Sequence, residues 1–238
     1  MIKFLRNIRR NLLSHGKTFN YLKYAIGEII LVMIGILLAL QVNNWNENRK
    51  MRAFEKEILT LIDQNLSRDS ILLSMERLKC YEGITYTDKL LEQVALANYS
   101  DTLNVWMGKI ISFERFKSQS SAFEVLKSKG FESISDNELR LALISYYDES
   151  LFKLYESLND VLQSFNTDWI PLIKEEFTDF KWTEYCIPVN AKDLFDKPST
   201  IVLFKLFKDN RAGELRKMDS SLAEIHHIRN LIRTHKNE

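Results

Sequence analysis

Four histidines, two cysteines and 32 acidic residues are the side chains of this 238-residue chain with the chemistry to ligate a metal or move a proton. His226 and His227 are adjacent, so on a regular helix they point about 100° apart and cannot grip one ion together. Glu224 lies two residues before His226 and faces elsewhere, and His15 is far away in the chain. Local spacing therefore predicts no metal site. Cys80 and Cys186 rule out a disulfide-dense scaffold and a four-cysteine cluster. In an exported domain they can form one disulfide, closing a loop of roughly a hundred residues worth about 4 kcal/mol in the entropic model. Two isolated buried thiols fit the helical pattern equally well.

The seven glycines stand apart, which leaves no phosphate-cradling loop, and neither a nucleophile elbow nor a zinc-protease helix is present. Acids such as Asp148, Glu149, Glu175 and Glu176 lie on amphipathic stretches and read as solvated. The expectation is a protein without catalytic residues, metal or cofactor, and not an enzyme. Trp106, Trp169 and Trp182 suit either a ligand cleft or core packing, and packing is expected. Asn65-Leu-Ser67 and Asn98-Tyr-Ser100 match the glycosylation pattern, which matters only in a glycosylating pathway.

The elements that carry these residues start with an apolar run, AIGEIILVMIGILLALQV, at 25–42. Its uninterrupted core of twelve residues, Ile29 to Leu40, is too short to cross a bilayer. With flanks, 21–45 makes a helix long enough for the ~30 Å hydrocarbon layer at about 1.5 Å per residue. Tyr21 and Tyr24 stand at one end and Trp45 at the other, where interfacial aromatics belong. Net charge is +1, but up to Val42 there are six basic residues (Lys3, Arg6, Arg9, Arg10, Lys17, Lys23) and one acid, Glu28. The remainder holds 27 basic and 31 acidic residues. That faintly acidic body argues against nucleic acid as a partner. The basic head predicts an N-terminus in the cytoplasm, a single retained pass through a bacterial inner membrane, and a periplasmic C-terminal domain.

Arg6, Arg9, Arg10, Lys17, Lys23, Tyr21, Tyr24 and Trp45 are thus the expected membrane-interface residues. Ile2, Leu5, Ile8 and Leu12 recur at helical spacing, so residues 1–20 are expected as a basic amphipathic leader lying on the cytoplasmic leaflet. Within the anchor, 21–45, Glu28, Val32, Gly35 and Ala39 share one face; the small pair permits close helix approach and a carboxyl seeks a partner. Self-association or docking on another membrane protein is the corresponding expectation.

Residues 46–238 read as an extracytoplasmic bundle of long helices, giving an all-α fold class with one N-terminal transmembrane helix. Phe54, Ile58, Leu61, Ile62 and Leu66 continue the anchor's helix outward, and after a weak patch at Ser67–Ser70 the pattern resumes through Leu72, Leu78, Leu90, Leu91 and Val94. Gly83 counts against an unbroken rod. Short helices are expected at Val105–Phe116 and Ser121–Lys129, the latter stopped by Gly130. Ser135 and Glu138 suggest a capping box opening the strongest helix, in which Leu143, Tyr147, Leu151, Leu154, Leu158, Val161 and Phe165 alternate at fours and threes. Pro171 should end or bend it near Trp169. Asp179–Pro198 has no period and allows one short strand at Trp182–Val189. Two further helices are expected, Thr200–Lys208 and Ala212–Arg233, the second with Leu215, Met218, Leu222, Ile225 and Ile232 as its stripe.

The segment YLKYAIGEIILVMIGILLALQVNNWNENRK (Tyr21–Lys50) resembles the opening of a family catalogued as domain of unknown function 6090, found in Bacteroidetes. The leader MIKFLRNIRRNLL and the stretch SSAFEVLKSKGFESISDNELRLALISYY (Ser120–Tyr147) are similar to its leader and middle segment. The resemblance implies a small membrane-anchored protein of unassigned activity and brings no site residues with it. The expected function is binding or scaffolding by protein–protein contact outside the cytoplasm, with the lipid bilayer and a membrane or envelope protein, or a second copy, as partners. The alternative is a sensory or small-ligand-binding bundle coupled to a membrane partner.

Overall fold

The computed structural model describes residues 18–235. The leader, with Arg6, Arg9, Arg10 and Lys17, lies outside the described residues, as do the side chains of Tyr21 and Tyr24. The chain divides into two units, one up to Phe54 and one from Glu55 onward. The fold is all-α apart from one hairpin.

Helix α1, Thr18–Ala95, is a single helix of 78 residues. Its part in the first unit contains a window of mean hydropathy 2.4 with none of its surface buried, long and apolar enough to cross a membrane. Every residue from Ile26 to Trp45 is exposed. Beyond Phe54 the burial pattern changes to a heptad. Glu55, Ile62, Asp69, Gly83 and Leu90 recur at sevens or multiples of seven, with Leu59, Leu66, Leu73, Cys80 and Thr87 interleaved, all of them buried. Such alternation of fours and threes is the spacing that keeps one helical face turned to a neighbour. Gly83 leaves the helix unbroken and sits inside this seam.

Two other long helical runs pack in the second unit. The first begins at α4, Asn137–Ile144, and continues through a π-helical turn at Ser145–Ser150 into α5, Leu151–Ser164. A second π-helical turn at Phe165–Trp169 leads into α6, Ile170–Glu176. All seven stripe residues from Leu143 to Phe165 are buried. Pro171 does not end this run: it falls in the first turn of α6, directly after the π-helical turn at Phe165–Trp169. The cap of α4 is Asp136, which accepts from the backbone N–H of Glu138 and Leu139; Ser135 instead donates to Glu55 at 2.8 Å. The cap is therefore one residue later than expected, and with Leu139 three residues after it the reciprocal half of a capping box does not form.

The last run, α8, is one helix, Pro198–His235, where two were expected. It lies antiparallel to α1. His235 meets Glu55 at 3.1 Å, Arg229 meets Asp63 at 2.8 Å, Arg77 pairs with Asp219, and Lys208 with Asp88. Numbers rise on one helix as they fall on the other. The exposed pairs among these add little energy each, but the set fits only one register. The run from α4 to α6 is parallel to α1, since Ser135 meets Glu55 at one end and Phe165 and Trp169 cluster with Leu90 at the other.

A parallel pair needs a long crossover, and 96–136 supplies it. It carries α2, Thr102–Ile110, a stretch without regular secondary structure at 113–120, and α3, Ser121–Lys129, which stops at Gly130 as expected. Helix α2 thus ends six residues before the expected Phe116. Where one strand was expected, a hairpin forms from β1, Phe177–Lys181, and β2, Tyr185–Pro188, followed by the short α7, Ala191–Phe195. Helix α2 is pressed onto β2, and a Cβ on Gly108 would stand 2.3 Å from the Tyr185 backbone nitrogen. Only glycine permits that approach.

A buried polar cluster and an exposed apolar face as candidate functional sites

Three segments remote in sequence bring ionisable groups together inside the second unit. Helix α1 contributes Cys80, the irregular stretch after α2 contributes Glu114, and α8 contributes Arg211 and Glu214. All four are buried, with relative exposure of 0, 3, 1 and 0%. Arg211 Nη2 donates to Glu114 Oε1 at 3.0 Å, to the Ser112 carbonyl at 2.7 Å and to Ser112 Oγ at 3.0 Å. The Cys80 thiol donates to the Arg211 carbonyl at 3.3 Å. The guanidinium stands 4.9 Å from the centre of the Phe207 ring. On the α1 side it occupies the space that a side chain at position 83 would need, since a Cβ on Gly83 would lie 1.9 Å from Arg211 Nη1.

One ligand atom each of Cys80, Glu114 and Glu214 lies within 4.8 Å of the others. Both Glu214 oxygens and Glu114 Oε2 are buried with no partner beyond the two carboxyls themselves, and Arg211 Nε and Nη1 are buried without a hydrogen-bond acceptor. Burial, reinforced by the Glu114 charge, pushes the Glu214 carboxyl up to about 9. Burial also raises Glu114, against the pull of Arg211. It raises the Cys80 thiol further, with help from both carboxylates. The arrangement is Arg211 paired with Glu114 beside a second carboxyl and a thiol, whose neutral forms burial favours. Glu114 lines a cavity of about 400 Å³, shared with Phe116, Tyr155 and Leu158. Glu214 lines another of about 560 Å³ with Asp160, Asp209 and Arg216.

A second buried network lies further along α1. Asp69 accepts from Ser118 Oγ and from the Gln119 N–H at 3.0 Å, and Tyr155 Oη accepts from the Ser118 N–H at 3.0 Å. Burial raises the Asp69 carboxyl despite those donors.

The opposite side of α1 from its seam is bare. Ile71, Leu72, Met75, Leu78 and Tyr81 are 62, 45, 55, 55 and 54% exposed. Ile71, Met75 and Leu78 fall on successive turns, so the three make a continuous apolar strip flanked by the other two. Leu72 and Leu78, expected to share a buried stripe with Leu90, belong to this face instead.

The anticipated residues are placed as follows. Glu28, Val32, Gly35 and Ala39 lie along one exposed face of α1. Lys23 and Trp45 are exposed on the same helix, and the Arg49 guanidinium stands 5.5 Å from the Trp45 ring. Cys80 and Cys186 are free buried thiols in different surroundings. Cys80 faces the polar cluster, whereas Cys186 packs in an apolar core with Trp169, Phe195 and Phe204, which pushes its thiol up to about 12. His226 and His227 are exposed and part ways, the first toward Asn230 and the second toward Glu138. Trp169 is fully buried, and Trp182 stands edge-on to Phe113 and Phe165. Spacing along the chain carried no hint of Glu114, Arg211 and Glu214 as neighbours, because each comes from a different turn of a different segment or depends on how α8 is rotated.

A family model described as "Family of unknown function (DUF6090)" matches residues 28–168, more than half of the chain. The chain belongs to this family. The DUF6090 match covers Cys80, Gly83, the exposed face of α1 and Glu114, and ends before Arg211 and Glu214. No curated protein and no solved structure matches the chain.

Proposed function

We propose that this DUF6090 protein is a single-pass membrane protein of the bacterial inner membrane, with a cytoplasmic N-terminus and a periplasmic helical module that binds another protein. The observation that carries the reading is the bare strip of Ile71, Leu72, Met75, Leu78 and Tyr81 on α1. Apolar side chains on successive turns of a helix that already has a complete buried seam are surplus to folding. A contiguous exposed patch of this sort is a usual mark of an interaction surface. It fits the apolar face of a helix from an envelope or membrane protein, laid alongside α1 and reading anchors at three- and four-residue spacing. Attachment to the membrane concentrates the module there, so a modest contact suffices.

Proximity crosslinking in intact cells, compared between the wild type and an Ile71→Glu/Met75→Glu/Leu78→Glu variant, tests this. The expected result is a defined heterologous adduct that the variant loses while keeping wild-type helicity and melting temperature. Adducts unchanged in the variant overturn the assignment of this face. Adducts between copies of the chain alone replace the heterologous partner with self-association.

A further inference from the structure

We propose that Cys80, Glu114 and Glu214 form a binding site for one divalent transition-metal ion of the zinc type. The donor set is one thiol and two carboxyls, all enclosed, with one candidate atom from each inside 4.8 Å. A tetrahedral zinc ion with Zn–S of about 2.3 Å and Zn–O of about 2.1 Å holds its donors roughly 3.5 Å apart. Side-chain torsions have to close the remaining gap of about 1 Å. The free valences point the same way: the oxygens of Glu214 and the Oε2 of Glu114 are buried and have no partner beyond the two carboxyls themselves. A fully enclosed carboxyl that meets only another carboxyl is rare, because desolvation is normally offset by donors or by a cation.

The charges also close. With the three ligands ionised, their sum and that of Arg211 is −2, which one divalent ion neutralises. Arg211 occupies the place of an orienting group around such an ion. It holds Glu114 by Oε1, leaving Oε2 for coordination, and is itself fixed by the Ser112 carbonyl and hydroxyl. A thiolate donor selects zinc-like ions over magnesium or calcium, which prefer oxygen throughout. Three protein ligands leave a fourth position for water. The site is independent of the apolar strip used for the proposed partner, so either can fail without the other.

Cobalt(II) is the probe, titrated into the full-length chain in detergent after chelator treatment and dialysis. The expected result is one ion per chain, with tetrahedral d–d bands, a thiolate-to-cobalt charge-transfer band, and loss of both on adding Zn²⁺. Cys80→Ser should remove the charge-transfer band, and Glu214→Gln, which keeps size and shape, should weaken binding at least about tenfold. Should Cys80→Ser lose its helical circular dichroism, the Glu214→Gln titration alone decides. Absence of cobalt spectra from the wild type overturns the site. So do spectra and affinity unchanged in the folded variants, which would place the ion elsewhere on the chain.

Discussion

Asp69 and Glu55 show how single side chains make a polar helix face tolerable inside a bundle. Each is buried, and each collects donors from the crossover: Asp69 from Ser118 and Gln119, Glu55 from the backbone and hydroxyl of Ser135. A buried carboxylate served by several donors loses less than a bare one. For Asp69 the loss still exceeds the compensation, and its carboxyl is raised above the ordinary 3.8 by burial. The folded chain thus holds that proton more tightly than the unfolded chain does. The associated stability is complete below about pH 3.8 and is lost as pH rises through the folded value. Asp69→Asn keeps an acceptor for Ser118 and Gln119 and has nothing to titrate. The stability difference, wild type minus Asp69→Asn, should therefore be largest in acid and fall with rising pH until Asp69 is fully ionised. Denaturant titrations across the acid range measure it, and a difference that grows with pH would show that the hydrogen bonds outweigh burial.

Helices were legible where apolar residues alone mark the buried side. The Leu143–Phe165 stripe is buried throughout, and α3 ends at its glycine. Helix α1 misleads because its leucines occupy two sides and its true seam is partly polar. Asp69, Cys80, Gly83 and Thr87 interrupt the buried heptad, while Leu72 and Leu78 suggest a rival stripe on the bare side. Helix α8 misleads for the same reason. Residues 209–211 look like a break between two helices, yet the helix continues, and Arg211 and Glu214 face inward, where Gly83 on α1 leaves space for the guanidinium. The hairpin escapes notice because strands of five and four residues are too short to establish a period. The register of α1 can be tested by a neighbouring pair. Leu73→Ala should cost about 2–5 kcal/mol through lost burial and a cavity. Leu72→Ala should stay within about 0.5 kcal/mol, as surface changes do. Equal costs, read from denaturation midpoints, would reject the seam.

The whole chain joins an apolar unit with none of its spanning window buried to a unit that has its own core and ion pairs. If the first lies in lipid with the basic head inside the cell, alkaline carbonate should leave the intact chain in the membrane pellet. A fusion placed after Trp45 should report from outside the cytoplasm. Release by carbonate, or a cytoplasmic report, would reject both the anchor and its direction.

The antiparallel course of α1 and α8 bears on how the second unit responds to force. Glu55 and His235, near its two ends, touch at 3.1 Å, so a tether pulling on both loads this contact first, together with the Ser135 donors that share the Glu55 carboxylate. Rupture then passes rung by rung from Glu55–His235 toward Asp88–Lys208, the geometry of a zipper and not of a sheared lap joint. Such a module yields gradually under tension and can re-close from its far end when the pull relaxes.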